Sequence, residues 1–520
     1  MSRYVPNLYN FWIVIFVALG SAACAYSIAV IGSTTGQPSF YRSLGLAMQG
    51  EPGYSRTNHL IGAFNGVNSA GAALGAIQSA WLMERYSRKY TIQFGALIQI
   101  IGGALCAGSI NVAMFLAGRF IVGWAIGILY TAIPVYQSEM STPATRGFMV
   151  SMHGIMIAIG YLLSSWIGFG VYFITANGSD SSFPWRFPIS FQIVPAILLL
   201  VGSPRLPFSP RWLVQKGRYE EAKEVLRSLH TLKDSDDHTI SNREFDQIRQ
   251  QTEADLAVKE HTTWYELVRT PGNRKRALIA VFLFWGNQMT GNLVIANYGT
   301  IIFASLGMTG YMPLLLLALW IVVSVGGNTI CALFLDRFGR RNFMLVGIAG
   351  MFAALLGECI TQAVSVNNDP NSNIPGKRAA AFFLFLWIAF YSSCQDGTQY
   401  VYLAEIYPNY LRGQGTAFGI FNLFIASIVV LVAAPTAFST IGWRFFIVFI
   451  VPTFFYFWIV YFMFPETRLK SLEEIAELFS ESVAVHLDEA NAEDEKTEGV
   501  SMTENVSVSK DGATTKQETV

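Results

Sequence analysis

The sequence predicts an all-α membrane protein with twelve transmembrane helices arranged as two pseudo-symmetric six-helix bundles. Three observations carry that expectation. Hydrophobic residues make up 52% of the 520 and charged ones only 13%, about half the share of about 25% found in soluble domains. Apolar runs of about 20 residues, long enough to cross a ~30 Å hydrocarbon core, recur along the chain. Charged motifs that punctuate the first half return in the same order in the second. The formal net charge is zero, which gives no electrostatic reason to expect a nucleic-acid partner.

The runs fall at 9–31, 59–82, 90–110, 112–134, 148–172 and 185–203, then at 277–304, 312–335, 343–364, 380–403, 414–436 and 442–464. Each is predicted as a helix because lipid offers the backbone no partner, and a barrel would show short alternating strands instead. The first run is too long for a signal h-region and lacks a cleavage pattern, so it reads as a span. The expected organisation is an N-tail at 1–8, a six-helix bundle at 9–203, linker helices at 204–276, a second bundle at 277–464 and a tail at 465–520. The linker carries a helical pattern in "GRYEEAKEVLRSLH". The tail beyond about residue 480 is rich in Glu, Asp, Thr, Ser and Lys and is expected to be disordered.

Short loops set the expected orientation. "MERYSRKY" holds Arg85, Arg88 and Lys89, and "LDRFGRRN" holds Arg337, Arg340 and Arg341, whereas the loop at 304–311 carries no positive charge. The positive-inside rule then places both termini in the cytoplasm. Asn177-Gly178-Ser179 matches a glycosylation triplet and falls on the outer side, which fits the plasma membrane. Cys24, Cys106, Cys331, Cys359 and Cys394 all lie inside apolar runs without metal-type spacing, so neither a disulfide framework nor a metal site is expected.

The internal repeat is explicit. "ERYSRK" returns as "DRFGRR", matching Glu84 with Asp336. "EMSTPATRG" returns as "EIYPNYLRG", matching Glu139 with Glu405 and Arg146 with Arg412 at one common offset. Two halves related in this way are the trace of bundles that rock about a site between them near mid-membrane. The acids at helix ends and the arginines beside them read as topology anchors or as a latch between the halves, since a carboxylate–guanidinium fork is strong when dry and hydrated when exposed.

These residues resemble the sugar porter family of the major facilitator superfamily, and its fungal-type hexose and disaccharide transporters, over about residues 10–475. "GRFIVGWAIG" is similar to the family's fourth-helix signature with Arg119 as its arginine. "PVYQSEMSTPATRG", "LPFSPRWL", "DRFGRR" and "PETRLKSLEEI" complete an ordered set, with Phe208 standing where the family has glutamate and Tyr86-Ser87 in place of its x-Gly. The resemblance implies the major facilitator fold and a cytoplasmic charge network of Glu84, Arg88, Glu139, Arg146, Asp336, Arg340, Glu405 and Arg412. Arg211 joins it from the linker and Glu466 from the tail.

A sugar offers hydroxyls in fixed directions and an apolar ring face, so its site needs amides and aromatic rings. "FWGNQMTGNLVIANYG" in the seventh run supplies Asn287, Gln288, Asn292 and Tyr298. Gln288 and Asn292 are four apart and share a helical face, and Gly286 and Gly291 argue for an unwound segment lining a cavity. Against the family's pattern the amides are altered: its fifth-helix pair falls on His153-Gly154, its tenth-helix tryptophan on Tyr400, and Asn422 lies one position from its eleventh-helix amide.

"CAYSIAVIG" in the first run resembles a family pattern in which proton-coupled members carry aspartate where Ser27 stands. A serine hydroxyl does not titrate, so Ser27 becomes a candidate substrate contact and Arg119 needs another partner. Facilitated diffusion is the expected consequence. The alternative is proton-coupled symport through Asp396, an acid inside the tenth run where a charge costs about 2.5–3.5 kcal/mol. A non-transporting sensor and a small-metabolite exporter are further readings of the same fold. No nucleophile–base pair, metal cluster or phosphate loop appears, so no enzyme chemistry is expected. A sugar or polyol, the lipid bilayer and, as coupling ion, the proton are the expected partners of a monomer with no bound cofactor.

Overall fold

The computed structural model describes residues 8–48, 50–141, 146–176, 181–230, 264–368, 374–408 and 410–468, with shorter stretches between 242 and 252 and between 475 and 479. It divides into two units, Met1–Leu469 and Lys470–Val520, and the helical assembly is the first. Its spanning helices are α1 (Leu8–Thr34), α2 (Tyr54–Arg85), α3 (Arg88–Ala107), α4 (Val112–Met140), α5 (Arg146–Ala176) and α6 (Phe183–Phe191 and Ile193–Gly202). After the linker come α7 (Pro271–Gln288 and Asn292–Ser305), α8 (Met312–Phe338), α9 (Arg340–Asn368), α10 (Ile374–Phe390, a π turn Tyr391–Asp396, and Gly397–Ile406), α11 (Arg412–Ile441) and α12 (Ile447–Met463). Among the described residues 11 stretches are long and apolar enough to span; the last, Arg412–Met463, turns at Gly442 (φ 55°) and supplies two. This makes twelve spans, and the protein is a multi-pass integral membrane protein.

The helices overrun the apolar runs by about a turn: α2 starts at Tyr54 and α10 at Ile374, because only the part in hydrocarbon has to be apolar. Within the first half, α2 and α4 touch backbone to backbone. A Cβ on Gly123 would strike the Asn68 carbonyl oxygen, and one on Gly127 that of Ala72. Small residues are what let two helices approach so closely in lipid, where packing rather than water drives association.

The halves meet along two seams. Gly62 and Gly66 of α2 lie against Val432 of α11. Met149 and Met152 of α5 pack on Ala332 of α8, and Val150 on Cys331 and Leu335. All five cysteines are buried and free of disulfides.

Candidate functional site

Two departures from regular helix lie at the interface between the halves. α7 breaks after Gln288 and resumes at Asn292, with Gly291 at φ 89°, a conformation open to glycine and strained for other residues. α10 takes its π turn at Tyr391–Asp396, a feature that recurs at functional sites.

Between these elements lies a narrow cavity of about 50 Å³. The first half lines it with Ile28, Tyr130, Ile157, Ala158 and Tyr161. The second contributes Gln288 and Asn292 of α7, Trp320 and Ser324 of α8, Tyr391, Asp396, Gln399 and Tyr400 of α10, and Phe424 of α11. The polar groups form one chain of hydrogen bonds. The Asn292 amide donates to the Tyr391 hydroxyl at 2.6 Å, and the Asn287 amide donates to it at 3.5 Å and to Gln399 Oε1 at 2.7 Å. Tyr391 donates to Asp396 Oδ1 at 3.2 Å, and Asn328 Nδ2 of α8 donates to Oδ2 at 2.9 Å. Gln288 Oε1 and Asn287 Oδ1 are buried with no protein partner. Groups of this kind are costly in a dry interior unless something polar meets them.

Packed side chains narrow the cavity toward both edges of the bundle. Nearer the edge that carries the charged motifs, Tyr400 packs edge-on against His153 (4.9 Å between centroids) and Tyr130 (6.2 Å), and at a tilt against Phe284 (6.1 Å); Tyr130 also meets Phe424. Rings from both halves thus make one floor. Nearer the opposite edge, the Tyr298 hydroxyl accepts from Asn65 Nδ2 at 2.9 Å and donates to the Leu431 carbonyl at 2.8 Å, tying α7 to α2 and α11. Gly32 of α1 lies against the Asn297 carbonyl, where a Cβ would sit at 3.0 Å.

Of the residues singled out for substrate, Gln288, Asn292 and Tyr400 line the cavity, and Asn287 stands directly behind it. Tyr298 does not line it but bridges helices at the far edge. Asn422 is engaged by Trp285 Nε1 at 3.3 Å and its own helix's Phe418 carbonyl. His153 holds Ser21 through Nδ1 at 2.7 Å, with Nε2 buried and unpartnered. Ser27 faces α3: its hydroxyl donates to the Ala23 carbonyl and accepts from Gln99 Nε2, both at 3.0 Å. Arg119 finds its partner in backbone, donating to the Ser27 carbonyl at 2.8 Å and the Phe64 carbonyl at 3.4 Å. Sequence reasoning missed Tyr391, Gln399, Asn328, Tyr130 and Tyr161. For Asn328 the available signal was a lone amide inside an apolar run, and for Gln399 one of two amides in the tenth run.

At the charged edge, Arg88 reaches Glu139 at 2.7 Å within the first half. In the second, Arg340 forks onto both Glu405 oxygens at 2.8 and 3.1 Å and also reaches Asp336 at 2.8 Å. A latch joining the halves was one expectation; each of these pairs instead closes within one half. Glu466 binds the start of α9, accepting from the Arg340 and Arg341 backbone N–H groups at 2.8 and 3.1 Å. Its first-half counterpart Phe208 packs on Tyr90 and Trp212 with Lys89 over its ring. Ser87 (φ 120°) stands where the second half has Gly339 (φ 88°), and its hydroxyl caps α3 by accepting from the Tyr90 N–H. Glu84 is half-buried at the end of α2, Arg211 is half-buried in the short helix Pro210–Gln215, and Arg412 is buried at the start of α11. The Arg146 side chain and Asn177 lie outside the described residues.

Twelve spans in two bundles about a polar cavity define the class of the major facilitator transporters. The chain belongs to the Sugar (and other) transporter family, which matches residues 13–479. It is 30% identical over 428 residues to the MFS-type transporter criB of Aspergillus cristatus, covering 82% of this chain and 86% of that one. It is 30% identical over 429 residues to the sugar transporter STL1 of Saccharomyces cerevisiae, covering 81% and 72%. In fold it is similar to the proton:xylose symporter XylE of E. coli, with a TM-score of 0.77 at 22% identity over 91% of this chain and 99% of that one.

Proposed function

We propose that the protein carries an uncharged sugar or related polyhydroxy compound across a membrane by alternating access, with both termini in the cytoplasm. The observation that carries this is the cavity: amides that both donate and accept, beside the rings of Tyr130, Tyr161, Tyr391, Trp320 and Tyr400, enclosed between two bundles. Amides answer hydroxyls and rings answer an apolar sugar face. The break in α7 and the aromatic floor give each edge a movable element. Relatives named as sugar transporters support the same substrate class.

The first-helix route for a proton is closed, because Ser27 offers only a hydroxyl and Arg119 rests on carbonyls. Drive then comes from the substrate's own gradient, as facilitated diffusion, or from another acid. Counterflow in proteoliposomes tests the transport reading: vesicles preloaded with unlabelled D-glucose, D-xylose or D-sorbitol should transiently concentrate the labelled compound. Binding of a probe without counterflow would favour a sensor instead.

A further inference from the structure

We propose that Asp396 is a proton site that drives transport from α10, with Tyr391 linking the proton to the substrate. This rests on the transport reading and adds its source of energy. Among the described residues Asp396 is the one carboxylate lining the cavity, and no Lys, Arg or His lines it. Its oxygens are held only by neutral donors, Asn328 Nδ2 and the Tyr391 hydroxyl.

The titratable groups around it are neutral too: Tyr130 of α4, Tyr161 of α5, Cys331 of α8, and Tyr391 and Tyr400 of α10. α9 meets the same turn with Gly347 against Cys394, and α7 presents the amides of Asn287 and Asn292 to Tyr391. An ionised carboxylate without a cation inside a span depends on its hydrogen-bond donors. With both donors in place Asp396 returns through the empty cavity as the carboxylate, and opening to water on either side lets a proton exchange.

Tyr391 supplies the link. Its hydroxyl has one proton, which it gives to Asp396 while accepting from Asn292. The π turn makes this pairing possible, because residues five apart fall on one side of a π helix. Tyr391 and Asn292 both line the cavity, so a polyhydroxy substrate competes for the same groups. Once Tyr391 donates to a substrate oxygen, Asp396 loses one of the two donors that favour its ionised form. It then takes a proton from the open side. After the cavity reopens on the other side the substrate leaves, Tyr391 returns, and the proton dissociates to that side's water. One O–H bond forms and later breaks, and one proton crosses with each substrate.

The test uses the full chain in proteoliposomes containing a trapped pH dye, with D-glucose, D-xylose and D-sorbitol as probes. Counterflow at equal pH first identifies a transported probe. An inward proton gradient should then drive that probe above equilibrium, with one proton entering per molecule. Asp396→Asn should slow exchange and abolish proton entry, Asp396→Glu should restore it, and Tyr391→Phe should lower the proton-to-substrate ratio at least about twofold. A wild type that exchanges a probe yet never concentrates it under the gradient overturns the proposal, as does proton-coupled uptake by Asp396→Asn. Absence of counterflow for every probe removes the transport reading, and the proposal with it.

Discussion

Glu466 is a small clasp whose strength can be worked from its contacts. Oε1 accepts three backbone N–H groups, from Arg340 (2.8 Å), Thr467 (3.0 Å) and Arg468 (3.0 Å), and Oε2 accepts one from Arg341 (3.1 Å). Glu466→Gln keeps the shape and leaves one oxygen for the first three donors. Its amide nitrogen, however, meets the Arg341 N–H donor to donor. Loss of one charge-assisted bond costs about 1.5 kcal/mol, and loss of the negative charge at the start of α9 costs about 0.5 kcal/mol more. A penalty of about 2 kcal/mol corresponds to a fall in Tm of about 4–8 °C for a unit the size of the second half. Thermal unfolding of the purified protein in detergent, followed by tryptophan fluorescence, measures it. A Glu466→Gln variant melting within about 1 °C of wild type would refute the idea that this carboxylate fixes the end of α9.

Arg340→Ala strands the largely buried Glu405 beside Thr467 alone and should cost about 3 kcal/mol, with Arg340→Lys recovering only part because an ammonium cannot span both oxygens; the same melting experiment reads this. Gly127→Ala drives a Cβ into the Ala72 carbonyl oxygen, and the resulting strain of about 1–3 kcal/mol should appear as a lower Tm and reduced yield of monodisperse protein. Tyr298→Phe removes both hydrogen bonds that tie α7 to α2 and α11. With each bond contributing about 1 kcal/mol, a Thr300→Cys reporter should react with a hydrophilic maleimide about 5- to 30-fold faster in that background.

The spans were legible because hydrocarbon imposes a long apolar run on any helix that crosses it, and their limits came within about a turn. The α7 break was legible too, since Gly286 and Gly291 flank a cluster of amides. What failed was helical phase between distant elements. Asn65 meets Tyr298 across 233 residues of sequence, and nothing local marks that contact; Tyr298 therefore read as a substrate contact when it braces the far edge. Ser27 and Asn422 failed for the same reason, each turned by its helix toward a neighbour and away from the cavity. Tyr391 was hidden by composition: one tyrosine among many apolar and aromatic residues of α10 carries no label until the π turn sets it opposite Asp396. Arg119's carbonyl partners were beyond sequence altogether, because backbone acceptors have no residue identity.

The π turn has a consequence for α10 as a piece of inheritance. It is in effect one residue more than a regular helix needs, and it sets the angular offset between the segment bearing Trp387 and the segment bearing Tyr400 and Glu405. Removing one codon within Tyr391–Asp396 would close the turn into regular helix. The flanking segments would keep their places while Tyr391 and Asp396, then four apart, lose the pairing of the wider turn, whereas a codon removed from the regular part of α10 that precedes the turn would rotate everything beyond by about 100°, carrying Tyr400 off the rings of Tyr130 and His153 and Glu405 off the Arg340 fork. The wider turn thus works as slack between two ends of one shaft, and these six positions are where α10 absorbs a change of length without turning its far end.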